Sequence, residues 1–271
     1  MKKLLITAAL ALGLSVSFTP GSKAQGFVDS VVSVEVLDGG AMPDGQTRAA
    51  LHFKLADGWK TYWRAPGDAG IPPQFSWRGS RNLADARVIW PTPKVFEQNG
   101  MRSVGYAGEL VLPLVLTPKT PGKPLRLKGR IDIGICEDVC VPATLKVDHA
   151  PDPAAPRHPA IAAALAQRPY SASEAGVSAA VCHIRPTDHG LQLEAHLALP
   201  SAGGPEFAVI EPGNPQIWAS EAQVTRRGGT LIAISDLMHV DSGSFALDRS
   251  QIRITILGKH HAVDIRGCTP G

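Results

Sequence analysis

The stretch GRIDIGICEDVCVPATLKVD (Gly129–Asp148) sets two alternating runs on either side of a pair of cysteines, Cys136 and Cys140. Upstream, in LRLKGRIDIGI, Leu125, Leu127, Ile131, Ile133 and Ile135 share one parity with Gly129, while Arg126, Lys128, Arg130 and Asp132 take the other. Downstream, Val141, Ala143, Leu145 and Val147 alternate with Thr144, Lys146 and Asp148. A period of two is the pattern of a strand with one face on a core. The stretch therefore predicts an antiparallel hairpin with Glu137-Asp138-Val139 as its loop. Cys136 and Cys140 then face each other on the polar side of the ladder. Facing Cα atoms lie roughly 4.5–5.5 Å apart, within reach of a disulfide, and both sulfurs are expected outside the core. Pro142 fits only where its nitrogen lies toward an open sheet edge.

The same alternation recurs in RAALHFKL (48–55), HGLQLEAHLAL (189–199) and SQIRITIL (250–257), with PGDAGIPP, TPKTPGKP, SAGGPE and RRGG supplying turns between runs. Short alternating strands with frequent turns predict an all-β chain built as immunoglobulin-like sandwiches. HAPDPAAPRHP (149–159) interrupts them, because its prolines forbid a continuous strand or helix. AIAAALAQR (160–168) is the one convincing helix. The expected division is a first sandwich over 25–149, a proline-rich linker with a short helix over 150–170, and a second sandwich over 171–271.

The N-terminus has the layout of a secretory signal peptide, expected over residues 1–24. Lys2 and Lys3 precede an apolar run from Leu4 to Val16, and Ser22-Lys23-Ala24 fits a small-x-small cleavage site. That run is too short for a membrane span, and no later stretch approaches one, so an exported, periplasmic protein without a span of its own is expected. The formal charge of +3 rests on Lys2, Lys3 and Lys23; without them 24 basic residues balance 24 acidic ones. A neutral mature chain has no electrostatic attraction for nucleic acid or anionic lipid. Roughly 245 residues remain, enough for two ordinary domains.

Four cysteines in an oxidising compartment allow two disulfides. A Cys136–Cys140 bridge closes a loop of five residues, and in the chain-entropy model contributes only about 2 kcal/mol. A Cys182–Cys268 bridge closes 87 residues, contributes roughly 4.6 kcal/mol, and would staple the ends of the second sandwich. The long bridge therefore reads as structural and the short one as exchangeable. Glu137 and Asp138 between the thiols disfavour the thiolate, so exchange would depend on a docked partner. The same cysteines carry two other readings, a hairpin staple or a copper site. A C-x3-C pair with a distant histidine occurs in a family of copper chaperones, but on a thioredoxin-like fold whose βαβ units this half lacks. The four methionines do not cluster as soft ligands, and His149 and His183 have no evident reason to converge on zinc. No metal and no cofactor are expected. VDSV and DSGS place serines beside acids without a triad context.

ICEDVCVP after an alternating strand, with LADGWKTYWRAPGDAGIPP and VGYAGELVLPLVL upstream, resembles the N-terminal periplasmic domain of the thiol:disulfide interchange protein DsbD, and more closely its ScsB-type relatives. The likeness covers roughly Phe27 to Asp148. It implies an immunoglobulin-like sandwich in which Cys136 and Cys140 exchange electrons with thioredoxin-like periplasmic proteins. The family passes electrons onward to disulfide isomerases or to thiol proteins of cytochrome c maturation. It also implies a cap loop bearing an aromatic residue; the matching stretch is Gly105-Tyr106-Ala107-Gly108, with Tyr106 as the cap. Tyr62 and Trp63 are expected to line the site or to pack the sandwich. Two departures stand out: the cysteine spacing is shorter than in the best-known DsbD, and the family's transmembrane and thioredoxin-like domains are not in this sequence. The expectation is a thiol–disulfide exchange protein fed by a separate membrane electron donor. The alternatives are a copper-tolerance accessory protein and a non-redox interaction module.

Overall fold

The computed structural model describes residues 22–68, 70–98, 100–241 and 243–271. The expected signal segment therefore lies outside the described residues as far as position 21. From Ser22 the chain forms a helix, α1 (Ser22–Val31), that runs through the expected cleavage point. It buries Val28 and Val31 against the first sandwich, and the Val31 carbonyl accepts a hydrogen bond from the Ala56 amide at 2.8 Å.

The first half contributes β1 (Val32–Ala41), β2 (Thr47–Leu55), β3 (Lys60–Tyr62), β4 (Gln74–Ser76), β5 (Leu83–Val88), β6 (Lys94–Gln98), β7 (Met101–Ala107), β8 (Glu109–Pro118), β9 (Leu127–Cys136) and β10 (Cys140–His149). One sheet runs β1-β2-β8-β5 and the other β10-β9-β3-β7-β6, with β4 also on β9. The alternating sets meet between the sheets: Leu51 and Phe53 of β2 and Leu112 and Leu114 of β8 pack with Ile131, Ile133 and Ile135 of β9 and Leu145 of β10. β10 is an edge strand, which is where Pro142 can sit without breaking a ladder.

The proline-rich stretch leads into α2 (Pro159–Ala166). Its start follows local rules: Pro159 occupies the first turn, and the His158 Nδ1 accepts from the Ala160 amide at 3.2 Å. Ile161 and Ala164 are buried, and the helix packs on β8. The linker itself is tied down rather than loose. The Ala41 amide donates to the Pro153 carbonyl at 2.9 Å, and the Asp38 carboxylate takes the Asp152 amide at 3.2 Å.

The second half contributes β11 (Tyr170–Ser171), β12 (Ala179–Thr187), β13 (Gly190–Ala198), β14 (Phe207–Glu211), β15 (Ile217–Ala219), β16 (Gln223–Arg227), β17 (Thr230–His239), β18 (Arg253–Leu257), β19 (Ala262–Arg266) and β20 (Thr269–Pro270). These form the sheets β11-β19-β18-β14 and β15-β17-β13-β12-β20, with β16 also on β17. Leu193, Leu197, Leu231, Ile254 and Val263 fill the space between them. The two cores are not separate at their boundary, since Val209, Leu257 and Ala262 belong to the apolar cluster of the first sandwich.

Cys182 on β12 and Cys268 before β20 are bonded, with their Cα atoms 5.7 Å apart, and β20 runs parallel to β12 beside them. Replacing both by alanine is expected to lower the unfolding free energy by about 2–5 kcal/mol, measured by urea unfolding. A loss no larger than an ordinary surface substitution, about 0.5 kcal/mol, would show that the terminal strands hold without the bridge.

Candidate functional site

The hairpin of β9 and β10 places Cys136 opposite Cys140, and the two are bonded with Cα atoms 4.2 Å apart. On the other side of β9, β3 and β4 lie end to end. Lys60 and Thr61 pair with Cys136 and Ile135, whereas Gln74, Phe75 and Ser76 pair with Asp132, Ile131 and Arg130. The chain between them has to leave the ladder and return to it within the segment 63–73. It does so as a fold of glycines and prolines, in which the Gly70 amide donates to the Gly67 carbonyl at 3.3 Å. Ile71 then comes back over Gly134. A Cβ added to Gly134 would lie 2.8 Å from the Ile71 Cβ and 3.1 Å from the Tyr62 ring, so the missing side chain is what admits this cover.

Partners in register show their side chains on the same face of a sheet. Tyr62 is thereby on the face of Gly134 and Cys136, opposite to the core. Its hydroxyl is 2.8 Å from the Cys136 Sγ and 3.1 Å from the Cys140 Sγ. A disulfide sulfur carries no proton, so the hydroxyl is the donor. Burial raises the Tyr62 pKa above its ordinary value, which keeps that proton in place. Tyr62 is 3 % exposed.

Strand parity alone leaves both sulfurs open to a partner. The structure separates them: Cys136 is 1 % exposed, whereas Cys140 and the whole loop from Glu137 to Val139 are exposed. Parity did put Cys136 on the outer face, but at this end of β9 the outer face is itself covered, with Tyr62 at the sulfurs and Ile71 over Gly134. Glu137 and Asp138 stand in the open loop, with the Glu137 carboxylate over Gly58. Val139 at the tip is 70 % exposed.

Two expected site residues are placed elsewhere. Tyr106 pairs with Thr61, whose other partner is Ile135, so it shares the inner face and packs in the core. Its hydroxyl donates to the Pro91 carbonyl at 2.8 Å, and the cap assignment for Tyr106 is corrected accordingly. Trp63 is fully buried in the core, with the Arg64 guanidinium 3.7 Å above its ring. Tyr62 is the aromatic residue at the sulfurs, and Ile71 lies beside it over Gly134. Ile71 was missed because its neighbours in APGDAGIPP look like a plain turn; the one signal was a large apolar residue among glycines and prolines. Among the described residues, no three His, Cys, Asp or Glu side chains gather as a metal site.

Tyr62→Phe removes the donor to the Cys136 sulfur while keeping the ring. Hydrogen bonds to charged groups contribute about 1.5–3 kcal/mol, so in the reduced protein the Cys136 thiol pKa is expected to rise by roughly 1–2 units. Thiolate absorbance followed against pH reads this directly. An unchanged titration would remove Tyr62 from the electrostatics of the pair.

The comparisons bear on this half first. A family model described as thiol:disulfide interchange protein DsbD, N-terminal, matches residues 31–151. The crystal structure of the N-terminal periplasmic domain of ScsB from Proteus mirabilis superposes with a TM-score of 0.69 at 22 % identity, covering 94 % of this chain and 97 % of that one. That likeness speaks to the fold of both sandwiches. The reduced DsbD N-terminal domain of Neisseria meningitidis is also similar, at 20 % identity and a TM-score of 0.26, over 45 % of this chain and 85 % of that one. No curated protein sequence matches the chain significantly. Among the described residues no helix is long and apolar enough to cross a membrane. The segment that holds Tyr62, Cys136 and Cys140 is thus similar to the N-terminal domain of DsbD and has an all-β, immunoglobulin-like fold.

Proposed function

We propose that this chain is a periplasmic thiol–disulfide exchange protein that relays electrons through the Cys136–Cys140 pair. The observation that carries the reading is the inequality of the two sulfurs. One is open to a partner, the other is buried, and a tyrosine hydroxyl lies within hydrogen-bond distance of both. The match to the DsbD N-terminal family over the same residues supports it.

In the oxidised protein an incoming partner thiolate attacks the exposed Cys140 sulfur. The Cys136–Cys140 bond breaks, its electron pair stays on Cys136, and the Tyr62 hydroxyl donates to the new thiolate. A second thiolate on the partner then attacks the mixed disulfide and releases Cys140. The partner leaves oxidised and this chain is left with two thiols. Delivery runs the same steps backwards on another protein: the Cys140 thiolate attacks a substrate disulfide, and Cys136 resolves the mixed disulfide. Glu137 and Asp138 oppose the thiolate, and Tyr62 favours it. Exchange then depends on a docked partner rather than on free dithiol in solution.

Thioredoxin-like proteins fit as partners, with a membrane-bound donor upstream and disulfide isomerases or cytochrome c maturation thiols downstream. Cys182–Cys268 has the structural role in this reading, and the second sandwich serves partner docking.

Single cysteine variants test the order of events. Cys136→Ser is expected to accumulate a mixed disulfide on Cys140 when mixed with an oxidised thioredoxin-like protein. Cys140→Ser should form little, because its remaining thiol is buried. Equal trapping by both variants would sink the assignment of Cys140 as the entry sulfur. A redox titration with alkylation and peptide mass spectrometry tests the function itself. A potential for the short pair between roughly −120 and −270 mV is expected, the span of exchange catalysts. A value below about −300 mV, typical of structural disulfides, would make the pair a staple.

A further inference from the structure

The outer face of the cysteine hairpin changes character along its length. Partners in register share a face, so Cys136–Cys140, Gly134–Pro142, Asp132–Thr144, Arg130–Lys146 and Lys128–Asp148 stack down one side of β9 and β10. β4 widens that face through Ser76 opposite Arg130, and Arg81 is bridged to Arg126 just before β9. Arg78, Arg81, Lys128, Arg130 and Lys146 are exposed, and Arg126 is half-buried. Four of them, Arg78, Lys128, Arg130 and Lys146, line an open groove of about 710 Å³. Two carboxylates answer these six cations. Asp148 lies 2.6 Å from Arg126 and 3.2 Å from Lys128, and Asp132 lies 3.0 Å from Arg130. Arg78, Arg81 and Lys146 have no carboxylate partner among the described residues.

Folding alone does not favour this arrangement. Arg130 stands directly opposite Lys146, and Arg81 opposite Arg126, and like charges facing each other across a ladder destabilise it. The formal charge of the whole 271-residue chain is only +3, so the excess of cations here is local. Lys146 follows Cys140 on the same strand, and at strand spacing the patch lies about 20 Å from the exposed sulfur. A standard interface covers about 800 Å² on each partner, a disc roughly 30 Å across. A protein whose thiol meets Cys140 away from the centre of its footprint therefore lies on Arg130 and Lys146 as well.

We propose that this basic face, centred on Arg130 and Lys146, docks an acidic surface of the thiol protein that exchanges with Cys140 and sets the orientation in which it lands. The inference deepens the exchange reading and rests on it for the identity of that protein as a redox partner. Arg130 and Lys146 are positioning residues. At physiological salt, charges are screened over about 8 Å, so these two leave the chemistry of the sulfurs alone and act on where the partner binds.

The test uses the full chain and two reduced peptides, each with a Cys-Gly-Pro-Cys head and a Gly-Ser linker of about twelve residues, which spans roughly 20 Å. One peptide ends in a run of aspartates and the other in the same number of serines. A head thiolate attacks the Cys140 sulfur and Cys136 leaves as thiolate. The second head thiol then displaces Cys140 as the peptide closes its own disulfide, so the peptide is oxidised and the chain ends with two thiols. Samples quenched by alkylation and read by peptide mass spectrometry give the rate, normalised to each peptide's rate with the neutral hydroxyethyl disulfide. At low salt the aspartate peptide is expected to open Cys136–Cys140 at least about tenfold faster than the serine peptide, the low end of electrostatic steering. Near 1 M salt, where screening acts over about 3 Å, the advantage should disappear. Arg130→Glu combined with Lys146→Glu should abolish it too, and leave the serine peptide's rate within about twofold of the parent's. Lys146→Glu alone gives Arg130 an opposite charge across the ladder, so it should lower the advantage without lowering the melting temperature. That variant carries the test if the double one does not fold. A smaller advantage at low salt, or one that survives the double reversal, would overturn the proposal. Equal rates for the two peptides, with binding to phosphatidylglycerol vesicles that the double reversal abolishes, would overturn it in favour of a membrane contact. Failure of the exchange reading shows separately, as a Cys136–Cys140 potential in the structural range whatever the ratio of these rates.

Discussion

A β-strand shows alternate side chains to opposite faces, and β9 uses both of its faces for different work. Ile131, Ile133 and Ile135 close the core of the first sandwich. Asp132, Gly134 and Cys136 look the other way, onto a face that begins open at Arg130 and ends roofed at Cys136. The position of every other part of the site follows from that strand. β10 hangs from it through the cysteine hairpin, and β3 and β4 share its opposite side. The overlying segment lies beside the gap that those two short strands leave at Ile133 and Gly134.

That arrangement gives two chemically equal cysteines different environments. Cys140 inherits the exposure of a hairpin loop, and Cys136 inherits the burial of a covered strand end. The disulfide itself closes a short loop and contributes less stability than the long Cys182–Cys268 bridge. Tyr62 is the hinge between packing and chemistry. Its ring lies against Gly134 and Gly70, and its hydroxyl reaches the sulfurs.

The second sandwich enters through polar contacts at an otherwise apolar boundary. Arg64 meets Glu211, and Arg102 meets Glu221 with its guanidinium over Phe207. Arg64 follows β3, and Arg102 lies in β7. Pairs of this kind add little to net stability. The linker is tied down as well, since its proline-rich run is pinned to β1 and its turn by Asp38 and Ala41.

Alternation along the chain determined the all-β class, the hairpin of β9 and β10, and the facing of Cys136 and Cys140. Each is a matter of period and loop length, which a linear sequence carries. The alanine-rich run 160–168 likewise marked the one expected helix, whereas its His158 cap and Pro159 first turn were seen only in the structure. The unequal burial of the two sulfurs was decided only by tertiary structure, because parity names a face but not what lies over it. Tyr62 and Tyr106 show why. Each is an aromatic residue in a short strand, and their opposite faces emerge only once β3 is registered against β7 and β9. Arg64 and Glu211 are 147 residues apart in sequence, and no local pattern links them. Their meeting depends on how two finished sandwiches pack, which is a property of surfaces and not of the strands that make them.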